Sequence, residues 1–325
     1  MAATTSRFLS WRRFGAAAAL LAALGASDCT SGSAAPRPQQ LTLWYGIAAD
    51  FTNDLAHRLN SALPETHVSL RQTSGGVVVV SAVDSGQAQL GLAQSDVVYI
   101  AYRRGIERNL YPHKNLRAIA VLWVNTFYVV VRGDSPFRSV RDLKGRRVGI
   151  LSPGTSGEFS MRYVLGAHGM SYADVQPIFE PTDSLVAKLG AGEIDAVFSA
   201  NPLMLAAARA LSKTVPLRLL PIGRTEINRL RGSYPFLRPV TVAAHQLQGQ
   251  DRPIETLGSE WLLVCRSDLS EEVVYRLTRE FFAQLPALAR DHGEAALIDP
   301  EQGPATPIPL HAGAARYYRE REVLR

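Results

Sequence analysis

The stretch "DSGQAQLGLAQSD", Asp84–Asp96, aligns without a gap on "GAGEIDAVFSANP", Gly190–Pro202. Each reads as the end of a helix, a small residue and a glycine, a polar residue, then a short apolar strand that finishes in polar residues. The chain uses one helix-to-strand unit twice. Upstream of the first copy, "LTLWYGI" reads as a strand, and in "ADFTNDLAHRLNSAL" the residues Phe51, Leu55, Leu59 and Leu63 fall at i+4 spacing on one helical stripe. A strand at "HVSLRQT", a helix from Gly76 to Asp84 and a strand at "AQLGLA" follow. Strands alternating with helices predict an α/β fold with parallel sheets covered on both faces.

A second echo pairs "FYVVVRGDSPFRSVRDL" with "EWLLVCRSDLSEEVVYRL". Each is an apolar strand ending in Arg and Asp ahead of a helix, and in the first copy Ser139 and Asp142 form a capping box closed by Gly145. Two such strands suit a chain that crosses from one lobe to another and back, with Arg132–Asp134 and Arg266–Asp268 read as hinge salt bridges and a bidentate grip on a substrate carboxylate as the alternative for the two arginines. The expected division is lobe I from residues 39–126 plus 262–325, with lobe II, 127–261, inserted. Ligands of open α/β sheets sit beyond the carboxyl ends of the strands. Those ends are "TSGG" (Thr73–Gly76), "QSD" (Gln94–Asp96), "SPGTSG" (Ser152–Gly157) and "SAN" (Ser199–Asn201).

The chain has 325 residues, with 46% hydrophobic and 20% charged residues, which is ordinary for a folded protein able to bury a core. Its net charge of +6 is scattered, with no basic run interleaved with aromatics, so no nucleic-acid partner is expected. Residues 1–35 differ from the rest. Arg7, Arg12 and Arg13 precede an apolar run from Phe14 to Ala26 and then "SDCTSGSAAP", the build of a secretory signal. The protein is expected to be exported to the periplasm or cell envelope, by the Sec or twin-arginine route, with Cys29 a candidate lipid anchor. Cys265, the other cysteine, reads as a buried inert thiol.

As a set and in order, "QTSGGVVVVSAVDSGQAQLGLAQSDVVYIAY", "YVVVRGDSPFRSVRDLKGRRVGILSPGTSG", "AGEIDAVFSAN" and "PIPLHAGAARYYRE" resemble the TAXI-type solute receptors of TRAP transporters. The resemblance implies a type II periplasmic-binding-protein fold. It implies two α/β lobes on a hinge that capture a small solute and deliver it to TRAP membrane subunits. His311, Arg316, Tyr317 and Tyr318 match the family's terminal motif and are read as packing or docking residues. The chain departs from the family after the first strand, where "YGIAADF" has the single Gly46 in place of a glycine-rich turn with tyrosines.

"VGILSPGTSGEF", Val148–Phe159, has the glycine spacing of a phosphate-binding P-loop, but Thr155 stands where the lysine belongs and Gly149 falls inside a strand. Nucleotide hydrolysis is therefore not expected. The same geometry offers Ser152, Thr155, Ser156 and backbone N–H groups at a helix start, where an anion is stabilised. Capping of the helix alone is the alternative for these hydroxyls. Thr73, Ser74 and Gly75 hold the matching place in lobe I. Gln94 and Ser95 on one lobe face Ser199 and Asn201 on the other, groups able to pair with both donors and acceptors of a carboxylate or amino acid. Asp96 reads as a helix cap or a partner for an ammonium group, and Trp44, Tyr45 and Phe51 as core or pocket wall.

The seven histidines show no metal-ligand spacing, and no G-x-S-x-G elbow is present, so no catalytic residue, metal or cofactor is assigned. The expectation is a solute receptor for a small organic anion or amino acid, glutamate-like as a first guess. A receptor serving a sensor kinase, or a hydrolase on the same scaffold, are the alternatives.

Overall fold

A computed structural model describes residues 38–323 apart from 47, 107–109, 152, 154 and 201. The predicted signal, Cys29, Ser152 and Asn201 lie outside the described residues, as does the side chain of Ser156. In chain order the elements are β1 (Gln39–Tyr45), α1 (Ala49–Ala62), β2 (Thr66–Gln72), α2 (Gly76–Ser85), β3 (Leu90–Gln94), α3 (Ser95–Arg104), β4 (Leu116–Thr126) and β5 (Tyr128–Arg132). Next come β6 (Arg147–Ile150), α4 (Ser156–Ala167), β7 (Gln176–Phe179), α5 (Thr182–Ala191), β8 (Ala196–Ser199) and α6 (Pro202–Leu211). The chain ends with β9 (Leu217–Leu219), α7 (Arg224–Ser233), β10 (Leu237–Val242), β11 (Ile254–Arg266), α8 (Glu271–Asp291) and α9 (Ala312–Glu320).

Two sheets form, ordered β10-β11-β3-β1-β2 with β4 also on β11, and β7-β6-β8-β5-β9. In the first, β1 runs parallel to β2 and β3 while β11 runs antiparallel to β3. In the second, β6 runs parallel to β7 and β8 while β5 runs antiparallel to β8. The sheets are thus mixed, where strand–helix alternation predicts parallel ones. The antiparallel members are β5 and β11, which reach their places from the other lobe rather than through a local helical crossover. Both sequence echoes find equivalent places: β3 and β8 in the middle of each sheet, β11 and β5 beside them.

Local chemistry explains the repeated unit. α2 ends at Gly86 and α5 at Gly192, both left-handed with φ of 84° and 75°, which turns the chain into the following strand. Arg266 Nη1 donates to the Asp84 carbonyl at 2.6 Å and Arg132 Nη1 to the Gly190 carbonyl at 2.7 Å. Each arginine thus ties the end of its strand to the first residue of an aligned stretch. Both also pair with the expected aspartates, at 2.6 Å for Arg132–Asp134 and 2.8 Å for Arg266–Asp268. These pairs do not lie at the hinge, as expected from sequence, but at the far ends of β5 and β11. The crossing itself lies where β4 passes into β5 through Phe127, whose N–H donates to the Leu257 carbonyl at 2.7 Å, with Thr126 opposite Gly258.

Burial follows the predicted stripes. Phe51, Leu55 and Leu59 of α1 are buried, with Phe51 edge-on to Trp123 at 5.0 Å between centroids. Each such side chain contributes on the order of 1.5–3 kcal/mol. Trp44, Tyr45 and Phe51 are core residues of the first lobe. The terminal motif packs too: His311 accepts from Gly313 N–H and caps α9, and the Tyr318 hydroxyl donates to the Ile119 carbonyl at 3.0 Å. Gly149 belongs to β6 because a Cβ there would stand 2.7 Å from Leu185 Cδ2 of α5, a packing reason unrelated to phosphate.

Candidate functional site

Four helices begin around one cavity, and each start is reached from a strand end. Gly75 and Gly76 stand at the start of α2, Gln94 at that of α3, Thr155 and Gly157 at that of α4, and Ala200 just before α6. Gly46, Ser74, Asn125, Leu151 and Trp261 complete the lining, so both lobes contribute. The cavity holds about 70 Å³, room for a few water-sized groups. Gly46 fits its corner because a Cβ there would meet Gly75 Cα at 2.9 Å.

The electrostatics come from backbone and neutral side chains. Among the described residues no ionisable side chain lines the cavity. The N-cap residues of α2 and α3, Gly75 and Gln94, make no side-chain capping bond, although Asp96 in the first turn of α3 takes the Val97 N–H, and the positive ends of both helix dipoles stand at the cavity. Three buried polar atoms of the wall have no hydrogen-bond partner among the described residues: Gln94 Oε1, Asn125 Nδ2 and Trp261 Nε1. A buried polar group left unpaired costs about 1–3 kcal/mol, and natural proteins keep few of them. Strand register sets this group. Trp261 lies opposite Gln94 in the antiparallel β3–β11 pair, and Asn125 lies opposite Ser259 two residues along.

Of the residues singled out from sequence, Ser74, Gly75, Gln94 and Thr155 line the cavity. Thr155 also caps α4 by accepting from Glu158 N–H at 3.3 Å, so the capping reading and the cavity reading hold together for this hydroxyl. Thr73 is turned inward to its own loop, donating to the Tyr45 carbonyl at 3.2 Å and accepting from Gly75 N–H at 3.3 Å. Ser95 is fully buried and accepts the Glu260 N–H at 3.0 Å, which locks α3 to the strand that carries Trp261. Ser199 is likewise fully buried in β8 and is not among the lining residues. Asn125 and Trp261 were not anticipated; the only trace is a lone amide and a lone indole inside apolar strands.

Asp96 lies behind the wall. One carboxyl oxygen accepts Val97 N–H at 2.8 Å and the other accepts the Ser160 hydroxyl of α4 at 2.8 Å. It is therefore an N-terminal cap of α3 joined to the other lobe, and it does not face an ammonium site in the cavity. Burial pushes its carboxyl up to about 6, against the lowering effect of these hydrogen bonds. No helix among the described residues is long and apolar enough to cross a membrane.

The pattern defining the NMT1-like family matches residues 42–321, which takes in all of both sheets but the start of β1, and every residue that lines the cavity. The chain belongs to the NMT1-like family. A Brucella abortus (strain 2308) protein provisionally named a binding protein is 38% identical over 164 residues, 49% of this chain and 48% of that protein. A Brucella suis biovar 1 relative gives the same figures. The chain thus spans about half the length of the relatives it matches. Among solved structures, the periplasmic aliphatic sulphonate binding protein SsuA from Escherichia coli superposes with a TM-score of 0.52 at 18% identity, covering 89% of this chain and 94% of that one. A Xanthomonas citri protein bound to chloride ion gives 0.53 at 10% identity, with 87% and 98% covered. At such identities the likeness speaks for the fold. This family member has the two-lobed, mixed α/β periplasmic-binding-protein fold.

Proposed function

We propose that the protein is an exported solute receptor that closes its lobes over a small organic anion and hands it to a membrane transporter. The observation that carries this reading is the set of unpartnered atoms in the cavity wall, Asn125 Nδ2, Trp261 Nε1 and Gln94 Oε1, among four helix starts. Two of the three are donors, and the first-turn N–H groups add more, so the wall asks for a ligand rich in acceptors. Gln94 Oε1 offers one acceptor, which suits a ligand hydroxyl or amide N–H. No carboxylate among the described residues lines the cavity to balance an ammonium group. This favours a carboxylate without an ammonium group, such as lactate, over an amino acid such as glutamate. Ser74, Gly75 and Thr155 complete the proposed contact set.

The motion in this reading is a hinge where β4 passes into β5 and where β11 runs beside it near Gly258, between a first lobe of residues 39–126 plus 262–325 and a second of 127–261. Contacts made by both lobes at once would drive closure. The delivery partner is taken from the TAXI resemblance as the membrane subunits of a TRAP transporter. The sulphonate named for the SsuA structure makes a sulfonate the second ligand class to try.

A thermal-shift panel of acetate, lactate, pyruvate, methanesulfonate and glutamate tests the reading. A ligand at about 100 times its dissociation constant adds about 2.7 kcal/mol to folding stability. A midpoint raised by a short carboxylate and not by glutamate is the expected outcome. No shift with any member, together with turnover of an ester or amide, would replace the receptor reading with a hydrolase.

A further inference from the structure

We propose that Asp96 is a proton-binding site whose occupancy is coupled to closure of the lobes. Asp96 starts α3 in the first lobe and Ser160 lies on α4 in the second, and both side chains are 0% exposed. The bond between them is an interlobe contact sealed from water. An ionised carboxylate there has lost its hydration and has no cation in return.

The groups around it bear this out element by element. On α4, Arg162 is committed to Glu158 at 2.6 Å, and Tyr163 is a buried phenol whose ionisation is suppressed by burial first and then by the charge of Asp96. On α3 itself, Arg104 lines a groove shared with Arg162, Tyr163 and Tyr234, and Tyr99 packs against Phe236 with the rings tilted at 53°. From β11, Glu260 is paired with Arg238 of β10 at 2.6 Å. From α2, Asp84 is turned to the Asn115 N–H, and β3 carries no titratable residue. His113, beyond α3, is held from protonation by burial. No charge-paired partner for Asp96 occurs among the described residues.

Opening the hinge admits water to this carboxyl and returns it to the ordinary aspartate range, whereas closure raises its pKa to about 6. The closed form therefore binds the proton more tightly, and it gains on the open form as pH falls. The proton comes from solvent and binds at Oδ2. The new O–H donates to Ser160 Oγ, reversing the direction of that hydrogen bond. Between about pH 7.5 and about pH 5 the closed-to-open ratio rises about tenfold by linkage. The solute would then be held more firmly on the acid side.

The inference rests on the hinge-closing reading, and the experiment separates the two. Spin labels are placed on the full chain at Ser61→Cys and Lys213→Cys, both exposed, in a Cys29→Ser background. Cys265 is fully buried with its thiol held protonated, so it stays unlabelled. Pulsed-dipolar distances then report the two forms without any ligand. A short-to-long ratio that rises about tenfold toward about pH 5, and is flat in Asp96→Asn, supports the proposal. A ratio of two resolved distances that stays within about twofold, or an Asp96→Asn protein that follows the parent, overturns it while leaving the hinge intact. A single distance at every pH overturns both. Should Asp96→Asn fail to fold, the carboxyl ¹³C titration of Asp96 in the parent decides. A midpoint near 6 supports the site, and one in the ordinary aspartate range overturns it.

Discussion

Trp261 buries its indole N–H at 4% exposure with no partner among the described residues, in a wall shared with Gln94 and Asn125. In the ligand-free protein that N–H is a cost, so removing it leaves folding unharmed. Trp261→Phe keeps an aromatic ring and deletes the donor. It is expected to leave the melting midpoint unchanged or slightly raised, while weakening binding of whichever carboxylate the thermal-shift panel identifies. A hydrogen bond to a charged acceptor is worth about 1.5–3 kcal/mol, so calorimetry should read a loss of about tenfold to about a hundredfold. Equal affinity in both proteins would remove Trp261 from the site. At this scale sequence showed part of the wall. Gln94, Ser74, Gly75 and Thr155 sit at polar strand ends visible in the chain, whereas Trp261 and Asn125 enter only through strand register, which pairs residues far apart in sequence.

Elements were the more legible level, since each carries its own punctuation. Gly86 and Gly192 end α2 and α5, the Ser139–Asp142 capping box is formed, and Gly145 has φ of 73°. Strand direction was not legible, because β5 and β11 acquire antiparallel partners through chain crossings that no local pattern records. One pair ties the elements of the second sheet: Asp195, before β8, accepts Arg147 N–H at 2.8 Å and its guanidinium at 3.1 Å. Burial opposes ionisation of Asp195, but the Arg147 hydrogen bonds outweigh it and hold the carboxyl below the usual range. Its folded pKa is lowered, so its stabilisation is present above the unfolded value of about 3.9 and is lost as pH falls through the folded value. Asp195→Asn is expected to lower stability by about 1 kcal/mol near neutral pH, since the pair is partly exposed. Denaturant titrations should show that difference shrinking in strong acid; a constant difference would mean the charge is idle.

Across the whole molecule, the two lobes meet at the crossing of β4 and β11, where Gly258 lies opposite Thr126. A Cβ on Gly258 would stand 2.5 Å from Val124 Cγ1 and 2.6 Å from the Asn125 carbonyl. Gly258→Ala must push the two strands apart, costing about 1–3 kcal/mol and displacing Asn125 in the cavity wall. Chemical denaturation and ligand titration should both register the change, although Gly258 does not line the cavity; a loss of stability with unaltered affinity would separate crossing from site. The division into two lobes was readable from the paired echoes, but the crossing was placed by packing alone.

The neutral wall of the cavity has a further consequence. Helix termini and fixed amides present no mobile surface charge for dissolved ions to screen, and screening acts chiefly on exposed charges more than about 8–10 Å apart. Affinity for the proposed carboxylate ligand should therefore stay within about twofold between about 10 mM and about 500 mM sodium chloride, with only competition by chloride itself to subtract. A steep salt dependence would show that distant arginines do the attracting. Insulated in this way, the receptor would weigh its solute by shape and hydrogen bonding alone, indifferent to whether the surrounding fluid is fresh or brackish.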